Sequence, residues 1–206
     1  IFDDPRKVKF VPLNANDRFR ALQAGDIDIL SRNSTWTISR EAELGLAFAA
    51  VTYYDGQGFM VRRARNIASA LDLDGSKICV QIGTTGASNV SDYFNENGMK
   101  LELISFTVAD DMVKAFDSGR CDVLTTDVSQ LHAERLKLAT PDDSVVLADV
   151  ISKEPLGPAI RQGDPQWLNI VKWTHFAMVN AEELGVSSRT IDQATRSVKP
   201  DVKRLV

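Results

Sequence analysis

One stretch of this chain is written twice. Residues 17–33, DRFRALQAGDIDILSRN, align with residues 111–127, DMVKAFDSGRCDVLTTD, at an offset of 94. Asp17/Asp111, Ala21/Ala115, Gly25/Gly119, Asp28/Asp122 and Leu30/Leu124 are identical, and Phe19/Val113, Leu22/Phe116, Ile27/Cys121 and Ile29/Val123 are apolar in both copies. Each copy reads as one supersecondary unit. Phe19 and Leu22, like Val113 and Phe116, stand at i and i+3 and share one face of a short helix. Gly25 and Gly119 fall where a left-handed residue stops that helix. The runs Ile27–Leu30 and Cys121–Thr125 have the composition of a buried strand. A further strand-like run precedes each helix, Lys7–Val11 in the first half and Leu101–Ile104 in the second. Both halves therefore predict strand–helix–strand, which favours parallel sheets with right-handed crossovers.

The second half carries one more unit, with a strand at Lys77–Ile82, a turn GTTGAS at Gly83–Ser88 and a helix at Asn89–Asn97. By the logic of the repeat, the first half should own a matching strand and helix, lying ahead of residue 1. Two extended connectors, Tyr53–Val61 and Glu154–Ile160, flank the second half and predict a two-strand hinge between two lobes. The expected division is 1–56 for the first lobe, 57–154 for an inserted second lobe, and 155–206 for the return to the first lobe and the C-terminal helices. The return includes a helix from Pro165 to Leu184, with proline near its start and Gly185 at its end. Trp167, Trp173 and Phe176 on that helix are expected in its core. The fold class expected is α/β and two-lobed, each lobe a parallel-type sheet flanked by helices.

Composition narrows the function. The 206 residues carry 24 Lys+Arg against 28 Asp+Glu, a formal net charge of −4, which argues against general nucleic-acid binding. The longest apolar stretch, Leu44–Val51, is far too short to cross a bilayer. His132 and His175 stand at no metal-ligand spacing from another His or Cys, no Gly-x-Ser-x-Gly elbow is present, and no metal or cofactor is expected.

Ligands of open parallel sheets sit beyond the carboxyl ends of the strands. Asn33 and Asp127 occupy equivalent strand-end positions in the two copies, and Thr84 and Thr85 follow the neighbouring strand at a helix start. In the first half Thr37 is a good N-cap, which puts Arg40 in a first turn where the helix dipole disfavours a cation. A ligand carboxylate would resolve that conflict through the bidentate guanidinium fork. Arg40 on one side, Asp127 on the other and hydroxyls between them describe a site for an α-amino-acid zwitterion. The plainer readings are a solvated Arg40 paired with Glu41 or Glu43, and an Asp127 that simply ends a strand. Cys79 lies six residues before Thr85, and Cys121 six before Asp127. Adjacent parallel strands would set the two cysteines side by side, as a bridge or as two buried thiols.

The ordered set DRFRALQAGDIDIL, SRNSTWTISRE, YYDGQGFMV, VQIGTTG and SGRCDVLTTD resembles the amino-acid-binding proteins of bacterial ABC importers, and in particular their general L-amino-acid-binding branch. The similarity runs over essentially the whole chain. It implies a periplasmic, monomeric receptor that hands L-amino acids to membrane permease subunits, although no leader-like segment opens this chain. It implies that Arg40 clamps the ligand α-carboxylate with help from Thr35, the backbone around Asn33, and Thr85, and that Asp127 holds the α-ammonium. Ala15 stands where relatives of narrower specificity place a stacking aromatic, which suits broad specificity. Arg32, where other branches carry a small residue, would favour acidic or amide side chains. An enzyme of the cyclohexadienyl-dehydratase type and the effector domain of a regulator share the architecture. The first would need a general acid in the cleft, and the second a DNA-binding segment.

Overall fold

A computed structural model describes residues 4–206. The chain first makes α1 (Arg18–Ala24), which buries Arg18, Ala21 and Leu22 and ends at Gly25 in the left-handed region, φ 83°. The Gly25 N–H closes the helix on the carbonyls of Ala21 and Leu22. α2 (Ile38–Ala42) follows, its first turn capped by the Thr37 hydroxyl, which accepts the Arg40 N–H at 3.3 Å. β1 (Leu46–Phe48) completes this part. Two expected strands are not formed here. In Lys7–Val11, Lys7 closes a 3-10 turn (Pro5–Lys7) and the rest is irregular; the run is exposed, with Phe10 87% accessible. It pairs with no strand among the described residues, and an exposed backbone can satisfy its polar groups with water without a ladder. Ile27–Leu30 shrinks to a single antiparallel bridge, Leu30 to Ala159. The packing survives without the ladder: Leu22, Leu30, Leu46, Phe48 and Ala159 form one core cluster, and Trp36 stacks on Phe48 at 5.5 Å.

β2 (Tyr53–Asp55) leads out of this lobe, and β3 (Gln57–Arg62), β4 (Lys77–Gln81), α3 (Gly86–Glu96), β5 (Glu102–Phe106), α4 (Ala109–Asp117), β6 (Val123–Asp127), α5 (Val128–Arg135) and β7 (Ser144–Val146) build the second. Its sheet has the order β5-β4-β6-β3-β7. β4 is parallel to β5 and to β6, whereas β3 runs antiparallel to β6 and β7, so the sheet is mixed. Side chains alternate across it as a pleated strand requires. Phe59, Val61, Ile78 and Val123 pack on one face with Val90 and Phe94 of α3. Met60, Cys79 and Leu124 pack on the other with Met112, Phe116 and Leu131.

Cys79 and Cys121 are joined by a disulfide on that second face, with Cα atoms 5.7 Å apart. The register is not the one that equal offsets imply, because Cys79 lies opposite Leu124. Cys121 precedes β6 on the segment descending from α4, and reaches Cys79 over the sheet face rather than along the ladder.

The chain returns through β8 (Glu154–Leu156), antiparallel to β2, and β9 (Ala159–Arg161), antiparallel to β1. The β2–β8 pair stands at the passage between the lobes. α6 (Pro165–Glu183), α7 (Ile191–Ala194) and α8 (Pro200–Leu205) end the chain. α6 buries only Val171, with Trp167 and Leu168 partly covered beside Ala49 and Ile160. Trp173 is 63% exposed and Phe176 is more than one-third exposed, so the expectation that they are core residues fails. Their rings lie edge to face at a centroid distance of 5.6 Å, with His175 also 5.6 Å from the Phe176 ring.

Candidate functional site

The seven residues singled out from the sequence line one cleft between the lobes. Arg32, Asn33 and Thr35 come from the segment that follows the Leu30 bridge, and Arg40 from α2. Thr84 and Thr85 lie between β4 and α3, and Asp127 at the junction of β6 and α5. The two walls touch. The Asn33 amide donates to Gln130 Oε1 at 3.2 Å, and Ala15, fully buried, lies so close to Gly83 that a Cβ there would stand 2.7 Å from the Ala15 carbonyl oxygen.

Thr35 sits in a one-residue antiparallel bridge with Leu156, made by the Trp36 N–H on the Pro155 carbonyl and the Gly157 N–H on the Ser34 carbonyl. In such a bridge the N–H and C=O of Thr35 itself both point away from the partner strand. The Thr35 carbonyl accepts from the Arg40 guanidinium. The Thr35 N–H therefore faces the same side as that guanidinium, two donor groups aimed at one place. Thr84 does not reach out in this way: its hydroxyl donates to the Gln81 carbonyl at 2.7 Å and accepts the Gly86 N–H, shaping the turn. Arg32 donates to the Leu13 carbonyl at 3.1 Å and to Asn33 Oδ1 at 3.2 Å.

Among the residues of the site that the sequence reading did not single out, two are buried charges. Arg18 is only 2% exposed and spans the cleft, donating to the Asn33 carbonyl at 3.0 Å and the Gly83 carbonyl at 3.3 Å, while its Nε has no partner. Its signal was available, since the repeat aligns Arg18 with Met112, a fully buried position. Glu154 of β8 is equally buried and accepts from Thr35, Thr85, Asn89 and Ser152. Nothing in the spacing of the sequence marks it.

The electrostatics are unbalanced. Arg18, Arg32 and Arg40 converge on the cleft, and none forms an ion pair among the described residues. Burial pulls Arg18 down to about 9, helped by Arg32 and Arg40 and opposed by Asp127, so it stays cationic at neutral pH. Burial also lowers Arg32, and lowers Arg40 against the pull of Glu154 and Asp127. The guanidinium carbons of Arg18 and Arg40 each lie 4.7 Å from the centre of the Phe19 ring, a partial compensation for lost water. Asp127 moves the other way, raised to about 6 by burial first and then by Glu154 and Asp55, with Asn33 and Arg18 pulling it back. Its neighbourhood thus favours the arrival of a cation.

Residues 4–189 match the bacterial extracellular solute-binding proteins, family 3. The chain belongs to that family. It is 53% identical over its full length to the general L-amino acid-binding periplasmic protein AapJ of Rhizobium johnstonii, and 46% identical to the glutamate/glutamine/aspartate/asparagine-binding protein BztA of Rhodobacter capsulatus. It spans 60% and 61% of those curated relatives' lengths. Among solved structures, a periplasmic binding protein from Brucella ovis with glutathione bound superposes with a TM-score of 0.95 at 53% identity. That match covers all of this chain and 64% of the other. The two-lobed α/β architecture is thereby that of the periplasmic solute-binding fold.

Proposed function

We propose that this protein is a periplasmic receptor that captures L-amino acids between its lobes and delivers them to the permease of an ABC importer, and that it performs no chemistry on them. The observation that carries the reading is the convergence of three unpaired guanidinium groups and one raised carboxyl group on a single interlobe cleft. Arg40 and the Thr35 N–H receive the α-carboxylate, as a charge-assisted pair. Asp127 receives the α-ammonium. The moving bodies are 1–56 with 155–206 on one side and 57–154 on the other, turning about β2 and β8, and the ligand stabilises the closed form through its contacts with both walls.

The charge count extends the reading to ligand class. Three guanidinium groups face two carboxyl groups, Asp127 and Glu154, so a ligand with two carboxylates and one ammonium leaves the cleft neutral. Glutamate, aspartate and γ-glutamyl peptides such as glutathione have that charge, and the names of two relatives point the same way. Neutral amino acids meet the same α-group contacts and bind more weakly.

The test is calorimetric titration of the chain with the twenty L-amino acids and with glutathione. Several ligands should bind, the acidic ones tightest. Arg40→Lys should weaken all of them by about 10- to 100-fold, because an ammonium cannot reproduce the planar fork. A correctly folded protein that binds none of these compounds, or an Arg40→Lys variant of unchanged affinity, would refute the assignment.

A further inference from the structure

Glu154 is a buried carboxylate that accepts no hydrogen bond from a cation among the described residues. All four of its hydrogen-bond donors are neutral: the hydroxyls of Thr35 and Thr85 on Oε2, the latter at 3.0 Å, and the Asn89 amide and Ser152 hydroxyl on Oε1 at 2.7 and 2.6 Å. A carboxylate offers about four lone-pair positions, so its capacity is filled. Glu154 therefore has nothing left for a ligand ammonium, although it lies close enough to raise Asp127 electrostatically. Its donors come from both sides of the cleft. Thr35 belongs to the first lobe and Thr85 and Asn89 to the second, while Glu154 itself sits on β8, opposite Asp55 in the pair that links them.

A hydroxyl has one proton to give. In this arrangement Thr35 and Thr85 both give it to the same oxygen of Glu154, and neither side chain can donate to a ligand carboxylate. We propose that Glu154 is a positioning residue for ligand capture: it consumes the two threonine hydroxyl protons, leaves the backbone N–H groups and Arg40 to hold the ligand carboxylate, and ties the two threonine-bearing walls to one hinge oxygen in the closed form. The inference rests on the reading that ligand binds in this cleft. It changes the role of Thr35 and Thr85 from direct donors to groups that hold their own backbone in place.

The two roles separate in a double-mutant cycle read as L-glutamate affinity. Direct donors on opposite walls would contribute independently, and the losses in Thr35→Val and Thr85→Val would multiply. Donors tethered through one shared oxygen couple: once either hydroxyl is gone Oε2 no longer bridges the two threonines, with Asn89 still on Oε1, and the double variant should lose no more than about 3-fold beyond the worse single variant. Thr85→Ser, which keeps the hydroxyl, should stay within about 2-fold of wild type. Glu154→Gln places an amide N–H₂ against two of the four donors, and should weaken L-glutamate at least 10-fold. It should also make the further substitution Thr85→Val nearly silent. Full multiplication of the two valine effects would overturn the proposal, as would a folded Glu154→Gln variant of wild-type affinity. Should Glu154→Gln fail to fold, the threonine cycle alone decides. Wild-type binding of L-glutamate, abolished by Arg40→Ala, is the control. Its failure refutes the binding reading, whereas its success with multiplicative threonine effects refutes only the role of Glu154.

Discussion

On the proposed reading, lowering the pH should unload the cleft through one group. Asp127 is raised from 3.8 to about 6 by burial and by the nearby Glu154 and Asp55 carboxyl groups, with Asn33 and Arg18 opposing. Holding the charged form in that place costs the ligand-free fold up to about 3 kcal/mol, less what its partial exposure to solvent screens. The sign follows from the direction. The cost is absent below the unfolded carboxylate value, grows as pH rises towards 6, and is constant above it. A ligand ammonium beside Asp127 cancels the cost only when the carboxylate is ionised. Affinity is therefore full above about pH 7 and declines as pH falls through 6. At pH 5 about nine-tenths of the free protein carries the proton, and the apparent Kd should be about tenfold higher than at pH 7.5. L-glutamate suits the measurement, since its side-chain carboxyl, with a value near 4.3, stays largely ionised down to pH 5. Titration calorimetry at pH 7.5, 6 and 5, in buffers of different ionisation heat, reads both Kd and proton release. At pH 6 binding should release about half a proton. Asp127→Asn should bind weakly, with a flat profile and no proton released. A wild-type Kd that stays within twofold from pH 7.5 to 5 would refute the reasoning, and so would an Asp127→Asn variant that keeps the wild-type slope.

Other perturbations address the remaining parts of the cleft. Arg32→Ala removes a half-buried cation with no carboxylate partner, and should cost glutamate about tenfold relative to leucine in competition titrations; equal losses for both ligands would mean Arg32 supports the wall and reads no side chain. Gly83→Ala would drive a Cβ to 2.7 Å from Ala15 O and Asn16 Cα at a backbone φ of +76°. It should slow or prevent closure, seen as a lost ligand-induced decrease in radius of gyration by small-angle scattering. Replacing both Cys79 and Cys121 by Ser opens a loop of 42 residues and should destabilise by up to about 4 kcal/mol in urea denaturation, with ligand affinity retained because the bond lies in the sheet core.

Much of this molecule was legible because the repeat carries punctuation as well as hydrophobicity. Gly25 and Gly119 both take the left-handed conformation, at φ 83° and 77°, and both close their helices as the sequence implies. What the repeat could not convey is whether a strand finds a partner. Glu102–Ile104 lies beside β4 within β5, whereas Val8–Val11 pairs with no strand among the described residues and stays irregular. Strand composition is a local property and pairing is not. The same limit applies to Trp173 and Phe176, whose spacing suits a core that α6 does not provide. In the cleft, residues at strand ends were readable from position alone. Arg18 is a cation on a stripe that is otherwise apolar, and only its alignment with the buried Met112 marks it as an interior position. Glu154 has no comparable mark, since the four donors that define it lie 2 to 119 residues away in sequence.

The two carboxyl groups of the cleft show how one side-chain chemistry takes two roles. Glu154 meets four neutral donors, which stabilise its charge in place and exhaust its lone pairs, so it is an internal strut. Asp127 lacks that company and is burdened by burial and by Glu154 itself. A carboxylate that is satisfied internally gains little from a cation, because the cation must displace bonds already made. One that is not satisfied gains most, since the cation removes a cost already present. The same contrast holds for Arg18 and Arg40, which lie buried without ion-pair partners among the described residues, so that an anion would remove a cost already present. The cleft therefore stores unfavourable electrostatics of both signs on its opposite walls, and a zwitterion is the kind of molecule that relieves both at once. A simple cation or a simple anion relieves only one, so on the proposed reading the site discriminates for the amino-acid head group independently of the side chain that follows it.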